Sequence, residues 1–333
     1  MASLLRIGHF GLGPIGVEAA RLVARRGGMV STAAVDLDPA KIGRDLAEVA
    51  GLDSRMGVVV RPSIAEALAI EGADVVLHAT GSSLRAVGPQ IEELLRAGVH
   101  VVSSCEELSF PIADRAGIGA ELAAVAREKG VALLGTGINP GFAMDALPIF
   151  LTTPCQEVTS IAVTRVNDAG KRRRPLQKKV GAGLSRAEFQ ELVDAGRVRH
   201  VGLRESLEMI ADAMGWRLER VEETTAPVLS TRRVATDYLV VEEGQVAGVH
   251  QVGVGYVGGK AAISLELRMY VGAEPEFDEV RIEGHPSLRV RCDGGFPGDI
   301  TTAAVLVNAA QRLPRVVPGL WTMKDLPPAH YRS

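Results

Sequence analysis

Cysteine is scarce in this chain. There are three in 333 residues, Cys105, Cys155 and Cys292, far apart and odd in number. No CxxC or comparable ligand spacing occurs, which argues against a disulfide framework or a metal site and fits a reducing cytoplasm. Aromatic residues make up only 4%, too few for a base-stacking platform. Neither sign of charge dominates: 37 Lys and Arg stand against 40 Asp and Glu, a net charge of -3, so general nucleic-acid binding is not expected. No apolar run free of charge and glycine reaches the ~18 residues of a membrane span. The opening MASLLRIGHFGLGPIG has no basic stretch followed by a long apolar one, so no signal peptide is expected. What remains is 47% hydrophobic and 23% charged, the balance of a folded globular enzyme. At roughly 150 residues per domain the length suggests about two domains.

Up to about residue 150, short apolar runs alternate with helical stretches. Strands are expected at Leu4–Phe10, Val30–Val35, Val58–Val60, Asp74–Ala79, Val99–Ser103 and Val131–Leu134. Helices are expected over Gly16–Arg26 and near 64–71, 87–97 and 113–129. Continuous apolar strands separated by helices specify a parallel sheet covered on both faces. Beyond 155 the pattern becomes one of alternation. In AISLELRMY, Ile263, Leu265, Leu267 and Met269 share one face while Ser264, Glu266, Arg268 and Tyr270 share the other, as in a sheet buried on one side. Further strands are expected at 157–167, 234–241, 246–257 and 278–290, with helices at 185–195 and 202–215. Pro297–Leu313 reads as a long amphipathic helix with Asp299 or Thr301 near its start. The expected organisation is a Rossmann-type α/β dinucleotide-binding domain over 1–150, an α+β substrate and dimerisation domain with a mainly antiparallel sheet over 151–296, and a C-terminal helix and tail over 297–333 returning to the first domain.

Gly11-Leu12-Gly13-Pro14-Ile15-Gly16 is a GxGxxG string between the first strand and the first helix. In that setting Gly11 permits a tight turn, Gly13 lets a pyrophosphate approach the backbone and Gly16 allows close helix–strand packing. Pro14 and Ile15 open the helix, whose first N–H groups favour an anion. Asp36 ends the second strand, where a carboxylate accepts from the adenosine ribose. That leans toward NAD over NADP. Lys41 and Arg44, just beyond, could instead meet a 2′-phosphate if Asp36 turned aside, or could simply begin a solvated helix.

Three more loops follow strands of the same sheet. Thr80, Gly81 and Ser82 could line the middle of the cofactor or cap the next helix. Glu106 and Glu107, just past the fifth strand, could hold an ammonium or relay a proton, or could be exposed loop residues. Cys105 beside them reads either as a nucleophile for aldehyde oxidation or as a buried structural thiol. After the sixth strand comes GTGINPGF, whose Asn139 has the donor and acceptor to meet a carboxamide and which could equally be a tight strand-to-helix turn. In the second half, Arg165 and Asn167 end a strand and His200 precedes a helix. All three are candidate substrate contacts, with a surface ion pair for Arg165 and a structural histidine for His200 as the alternatives. The basic run 171–179 reads as a solvated loop, or as one closing over a cleft.

Taken together, GLGPIG, HATGSS, VSSCEELSFP, GTGINPGFAMDALP, RRRPLQKKVGAGLS and GLRESLEMIADAMGW resemble the 2,4-diaminopentanoate dehydrogenase and native amine dehydrogenase family, related to the dihydrodipicolinate reductase-like Rossmann enzymes. The likeness runs over nearly the whole chain. It implies reversible reductive amination: a carbonyl compound, ammonia and NAD(P)H giving an amine, the oxidised cofactor and water. It also implies a catalytic glutamate in the CEE motif, carried here to Glu106, with Glu107 as the alternative bearer, and a substrate pocket whose size varies at Ile138, Phe142 and Ala143. The expected partners are a small amine or carbonyl with ammonia, NAD or NADP, and a second copy of the chain. No metal, nucleic acid or membrane is expected. Two other functions fit the residues: an amino-acid or 2,4-diaminopentanoate dehydrogenase, and an NAD(P)-binding redox sensor without turnover.

Overall fold

The structure, a computed structural model, describes residues 4–111 and 117–332. In chain order the elements are β1 (Leu5–Phe10), α1 (Pro14–Arg25), β2 (Met29–Val35), α2 (Leu46–Ala50), β3 (Val60–Arg61), α3 (Ile64–Glu71), β4 (Val75–His78), α4 (Leu84–Arg96), β5 (His100–Ser103), α5 (Ile118–Glu128) and β6 (Ala132–Gly135). There follow α6 (Ala146–Leu151), β7 (Glu157–Asp168), α7 (Arg174–Lys179), α8 (Arg186–Asp194), α9 (Leu203–Ala213), β8 (Arg220–Leu229), β9 (Val234–Ala235), β10 (Val240–Val241), β11 (Val246–Val257), β12 (Lys260–Tyr270), β13 (Phe277–His285) and β14 (Leu288–Asp293). The chain closes with α10 (Gly298–Ala310) and β15 (Gly319–Trp321). Of the helix expected over 113–129, residues 113–116 lie outside the described residues. No helix among those described is long and apolar enough to cross a membrane.

Two compact units emerge, one within Met1–Phe142 and Gly298–Ser333, the other Ala143–Pro297. The first is a seven-stranded parallel sheet of order β15-β6-β5-β4-β1-β2-β3. Neighbouring residues of each strand feed opposite cores, as strand geometry requires. Val76, Val101 and Leu133 pack with Ile91 and Leu95 of α4 and with Leu122 and Ala126 of α5. Val75, Leu77, Val102 and Leu134 pack with Ala19 and Val23 of α1 and with Leu306 and Val307 of α10. The strand order reverses between β1 and β4, the place where such sheets open a ligand crevice at their carboxyl edge. α10 is less one-sided than its sequence suggests: Thr302, Ala303, Leu306, Val307, Ala309 and Ala310 are all buried.

The second unit is a six-stranded sheet of order β14-β13-β7-β12-β11-β8, antiparallel except for β7 beside β12. Ile263, Leu265 and Leu267 are fully buried, whereas Arg268 is exposed, as their alternation requires. Three expectations change here. The strand expected over 234–241 is two two-residue strands, β9 and β10, paired around Thr236. Thr236 Oγ1 accepts from the Tyr238 and Leu239 N–H groups and so holds a turn. The strand expected over 278–290 is a hairpin, β13 and β14, because Pro286 and Ser287 turn the chain. β8 lacks an apolar alternation (RVEETTAPVL) and was not expected, being held by its ladder to β11. The division of the chain also falls after Phe142 rather than at 150. The Asp145 carboxylate, which caps α6, accepts at 2.8 Å from Ser206 Oγ of α9 and ties α6 to the second unit.

Candidate active site

The sheet of the first unit is parallel, so the loops after β1, β2, β4, β5 and β6 all leave from one edge. Those loops carry Gly11–Gly16, Asp36, Thr80–Ser82, Glu106–Glu107 and Ile138–Phe142 in turn.

The glycine loop is shaped by close approach. Gly11 has φ +87°, and a Cβ there would lie 2.5 Å from the Ala79 carbonyl oxygen. A Cβ on Gly16 would lie 1.9 Å from the Gly11 carbonyl oxygen. Both positions therefore exclude any side chain. Gly13 differs: nothing comes within 4 Å of its would-be Cβ. Open space lies in front of that backbone, at the start of a helix with Pro14 at N1 and no side-chain cap. That is a cradle for the phosphates of a dinucleotide.

The Asp36 carboxylate is buried and fixed. Its Oδ2 accepts from the Leu12 N–H at 2.7 Å and its Oδ1 from the Asp38 N–H at 2.8 Å. Lys41 Nζ lies 3.1 Å from Asp36 Oδ2 and 3.5 Å from Asp38 Oδ2. Burial pushes the carboxyl up, but the two backbone N–H groups and Lys41 together outweigh it, and Asp36 is held below the usual aspartate range. Lys41 is thus paired with the aspartates rather than free, whereas Arg44 is half-exposed and meets Glu48 at 3.6 Å.

Beneath Thr80 runs a polar network that the sequence reading missed. His78, fully buried at the end of β4, contacts Ser103 Oγ (2.9 Å), Gln90 Oε1 (3.0 Å) and Thr80 Oγ1 (2.9 Å). Thr80 Oγ1 also donates to Gln90 Oε1 at 2.7 Å, and Ser103 Oγ accepts from the Cys105 N–H at 3.1 Å. Burial lowers His78 to about 4, so the imidazole is neutral and acts as a structural link between β4, β5 and α4. The signal was a histidine closing an otherwise apolar strand, VVLH. Gly81 and Ser82 are half-buried in the same loop, and the Ser82 carbonyl accepts from the Glu107 N–H at 3.4 Å and from Cys105 Sγ at 3.2 Å.

The two glutamates part company. Glu106–Leu108 form a single 3-10 turn directly after β5, with both glutamates half-buried. Glu107 Oε2 accepts from the Leu84 N–H at 2.8 Å, supplying the cap that Ser83, the N-cap residue of α4, does not provide. The Glu106 carbonyl accepts from Ser109 Oγ at 2.7 Å and from the Ser109 N–H at 3.1 Å, which fixes the backbone that bears its carboxylate. A Cβ on Gly135 would lie 2.3 Å from the Leu108 carbonyl, so the turn rests on the end of β6 only because that residue is glycine. Cys105 is buried, and its thiol is pushed up to about 12, first by burial and then by the negative charge of Glu106. It is a structural thiol.

In the loop after β6, Gly141 has φ +121°, and a Cβ there would lie 2.3 Å from the Gly137 nitrogen. The Ile138 N–H reaches Thr302 Oγ1 of α10 at 3.4 Å. Ile138 is buried, while Asn139 and Phe142 are half-buried.

The remaining candidates, Ala143, Arg165, Asn167 and His200, belong to the second unit. Ala143 is buried. Arg165 is buried as well: Nη1 donates to Asp278 Oδ1 at 2.8 Å and Nη2 to the Phe296 carbonyl at 2.6 Å, while the Phe296 N–H donates to Asp278 Oδ2 at 2.7 Å. The ion pair is internal rather than on the surface. His200 is bracketed by Gln251, whose Oε1 accepts from the His200 N–H at 2.8 Å and whose Nε2 donates to its carbonyl at 3.2 Å. Loss of water, then Lys179, Arg165 and Arg172, lowers its imidazole to about 3, so it is neutral at ordinary pH. Asn167 is buried, and its Nδ2 has no partner among the described residues. The basic run is ordered by Gln177, which donates to the carbonyls of Gly170 and Arg172, and by the Lys171–Glu276 ion pair. No cluster of metal-ligating side chains occurs among the described residues.

Residues 142–331 match the family described as 2,4-diaminopentanoate dehydrogenase C-terminal domain. The chain is 35% identical over 277 residues to a 2,4-diaminopentanoate dehydrogenase of Acetoanaerobium sticklandii, covering 81% of this chain and 78% of the relative. It is 25% identical over 352 residues to an amine dehydrogenase of Streptomyces virginiae, covering 96% and 95%. The fold is that of an amine dehydrogenase from Mycobacterium smegmatis, with a TM-score of 0.86 at 23% identity over 98% of this chain and 97% of the other.

Proposed function

The chain belongs to the 2,4-diaminopentanoate dehydrogenase family, and we propose that it is an NAD(P)-dependent amine dehydrogenase. The reaction is the reversible conversion of an amine to a ketone or aldehyde and ammonia. The first unit binds the dinucleotide, and the second contributes substrate contacts and a dimer interface. The observation that carries the reading is the contrast among three glycines. Gly11 and Gly16 have no room for a side chain, while Gly13 opens onto empty space at a helix start, and the glutamate turn leaves from the same sheet edge.

The residues fit a dinucleotide. Gly13, Pro14 and Ile15 would receive its phosphates, Asp36 with Lys41 its adenosine ribose, and Thr80–Ser82 and Asn139 its nicotinamide half. When bound, the cofactor accepts or returns a hydride. The chain's own part is proton handling and positioning. Glu106, on a backbone fixed by Ser109, receives a proton from the ammonium so that neutral ammonia can attack the carbonyl. It returns the proton when the carbinolamine loses water. Glu107 Oε2 is taken by the cap of α4, which favours Glu106 for this role, and Cys105, protonated at neutral pH, supplies no nucleophile. Ile138, Phe142 and Ala143 set the size of the substrate.

The 35% relative, named for a diamino acid, favours a second reading in which the amine also bears a carboxylate. Arg165 is committed to Asp278 and Phe296, which leaves Asn167 as a spare donor in that unit. We place the protein in the cytoplasm as a homodimer. The half-exposed network of Glu266 with His250, Arg268 and Thr164, on the sheet face turned away from α9, is a polar surface suited to a partner copy. Light scattering on a size-exclusion column checks the mass, and a monomer would remove the dimer.

A spectrophotometric panel of simple amines and of 2,4-diamino acids with NAD and NADP, repeated with carbonyls plus ammonia, tests the activity. Ammonia-dependent NAD(P)H consumption is expected. Cofactor binding without turnover across both panels would leave a redox sensor instead.

A further inference from the structure

The neighbours of His78 fix the direction of each hydrogen bond around it. Gln90 Oε1 is a carbonyl oxygen with no hydrogen to give. Its contact with Nε2 at 3.0 Å therefore puts the one proton of the neutral imidazole on that nitrogen. The same oxygen accepts from the Thr80 hydroxyl at 2.7 Å, which commits the hydroxyl's hydrogen and leaves Thr80 Oγ1 as an acceptor. Nδ1 is then an acceptor too, and Ser103 Oγ, 2.9 Å away, donates to it. Ser103 Oγ in turn accepts from the Cys105 N–H at 3.1 Å, one residue before Glu106. The order runs without a break from the backbone of the glutamate turn, through Ser103 and His78, to Gln90 and Thr80. The ring is held in plane by Phe10, which meets it edge-on at 5.4 Å. Above the ring, the two segments it joins are also tied to each other. The Ser82 carbonyl accepts from Cys105 Sγ at 3.2 Å and from the Glu107 N–H at 3.4 Å, and the Ser104 N–H donates to the His78 carbonyl at 2.9 Å.

Resting on the reading of Glu106 above, we infer that His78 is a positioning residue for the reaction. As the Nε2–H tautomer it holds the glutamate turn through Ser103 with one nitrogen and the Thr80 loop with the other. The side chain that handles the proton and the loop that faces the nicotinamide half of the cofactor thus keep one register. The two arms have separate effects. The Ser103 arm acts on Glu106 and so on kcat, where a small misplacement is costly. The Gln90 and Thr80 arm acts on the loop that receives the cofactor, and so on its affinity.

The test begins with ¹⁵N NMR of the imidazoles in the ligand-free full chain, the His78 signal being the one lost in His78→Gln. A protonated Nε2 and a bare Nδ1 are expected, and a protonated Nδ1 overturns the assignment. Two variants then separate the arms. Glutamine places its amide nitrogen near the Nε2 position and gives Ser103 no acceptor. Asparagine offers Ser103 an oxygen near the Nδ1 position and falls short of Gln90 and Thr80. His78→Gln is expected to lower kcat about tenfold to a hundredfold while the dissociation constant of NAD(P) changes less than threefold. His78→Asn is expected to weaken NAD(P) binding about three- to tenfold while kcat falls less than threefold. In a Glu106→Gln background, His78→Gln is expected to lower kcat less than threefold further, because its effect passes through Glu106. Equal losses in the two variants, or a full additional loss in the double variant, make His78 a merely structural residue and leave the reading of Glu106 standing. Wild-type turnover in Glu106→Gln alone removes that reading and the assignment with it.

Discussion

The backbone N–H of Leu84 donates to Glu107 Oε2 at 2.8 Å, so the second glutamate of the pair is a helix cap. Its neighbour Glu106 lies one residue earlier on a turn fixed by Ser109. Two adjacent identical side chains therefore have separable duties. Glu107→Ala is expected to lower stability by about 1 kcal/mol, the usual scale of a lost cap, while amine turnover falls less than tenfold. Urea unfolding and steady-state kinetics on the same preparation check both halves. A loss of turnover larger than that of Glu106→Gln would reverse the assignment.

Gly135 supports the same turn from below. Gly135→Ala places a Cβ where the Leu108 carbonyl now lies, so the turn must shift. A stability loss of about 1–3 kcal/mol is expected, with a lower kcat in the fraction that folds. Wild-type stability and kcat together would mean the turn does not depend on that contact.

Cys105, held up to about 12, is expected to resist alkylation at pH 8 in the native protein and to react once unfolded. Mass spectrometry after iodoacetamide treatment reads this directly. Rapid native labelling of Cys105 with loss of activity would bring back the nucleophile reading.

The Arg165–Asp278 pair is buried on both sides. Removing one partner strands a charge, and Arg165→Met alone is expected to cost about 3–5 kcal/mol. The double change Arg165→Met with Asp278→Leu removes both charges and is expected to recover much of that loss. Denaturant titration of the three proteins checks it. A single variant as stable as wild type but defective in KM would instead make Arg165 a substrate ligand.

Burial holds His9 and His78 down to about 4, against an ordinary value of 6.5. Between those values the unfolded chain binds more protons than the folded one, so stability is fully present above about pH 6.5 and lost as pH falls toward 4. The scale is about 3 kcal/mol for each histidine. Unfolding free energy measured from pH 7.5 to 4.5 is expected to fall steeply, and less so in His78→Gln. A flat profile would mean that neither histidine is buried in its neutral form.

How far the sequence could be read depended on the range of the interaction. The strands of the first unit follow from local apolar runs, and the glycine loop from spacing alone. That Glu107 caps a helix was not legible, because the N–H it meets belongs to Leu84, 23 residues away in sequence. The same holds for His78, whose partners Ser103 and Gln90 come from two later elements, and for Arg165, whose partner Asp278 lies 113 residues on. β8 and β15 escaped because neither has a periodic pattern of its own. Each exists through pairing with a strand distant in sequence, β11 for one and β6 for the other.

The most direct measurement is amine-dependent NAD(P)H formation by purified Glu106→Gln beside wild type, with cofactor binding followed by fluorescence in the same samples. Loss of the proton acceptor is expected to reduce turnover about 10²–10⁴-fold while cofactor affinity stays within a few-fold. Wild-type turnover in that variant, with the cofactor bound, would contradict the role given to Glu106.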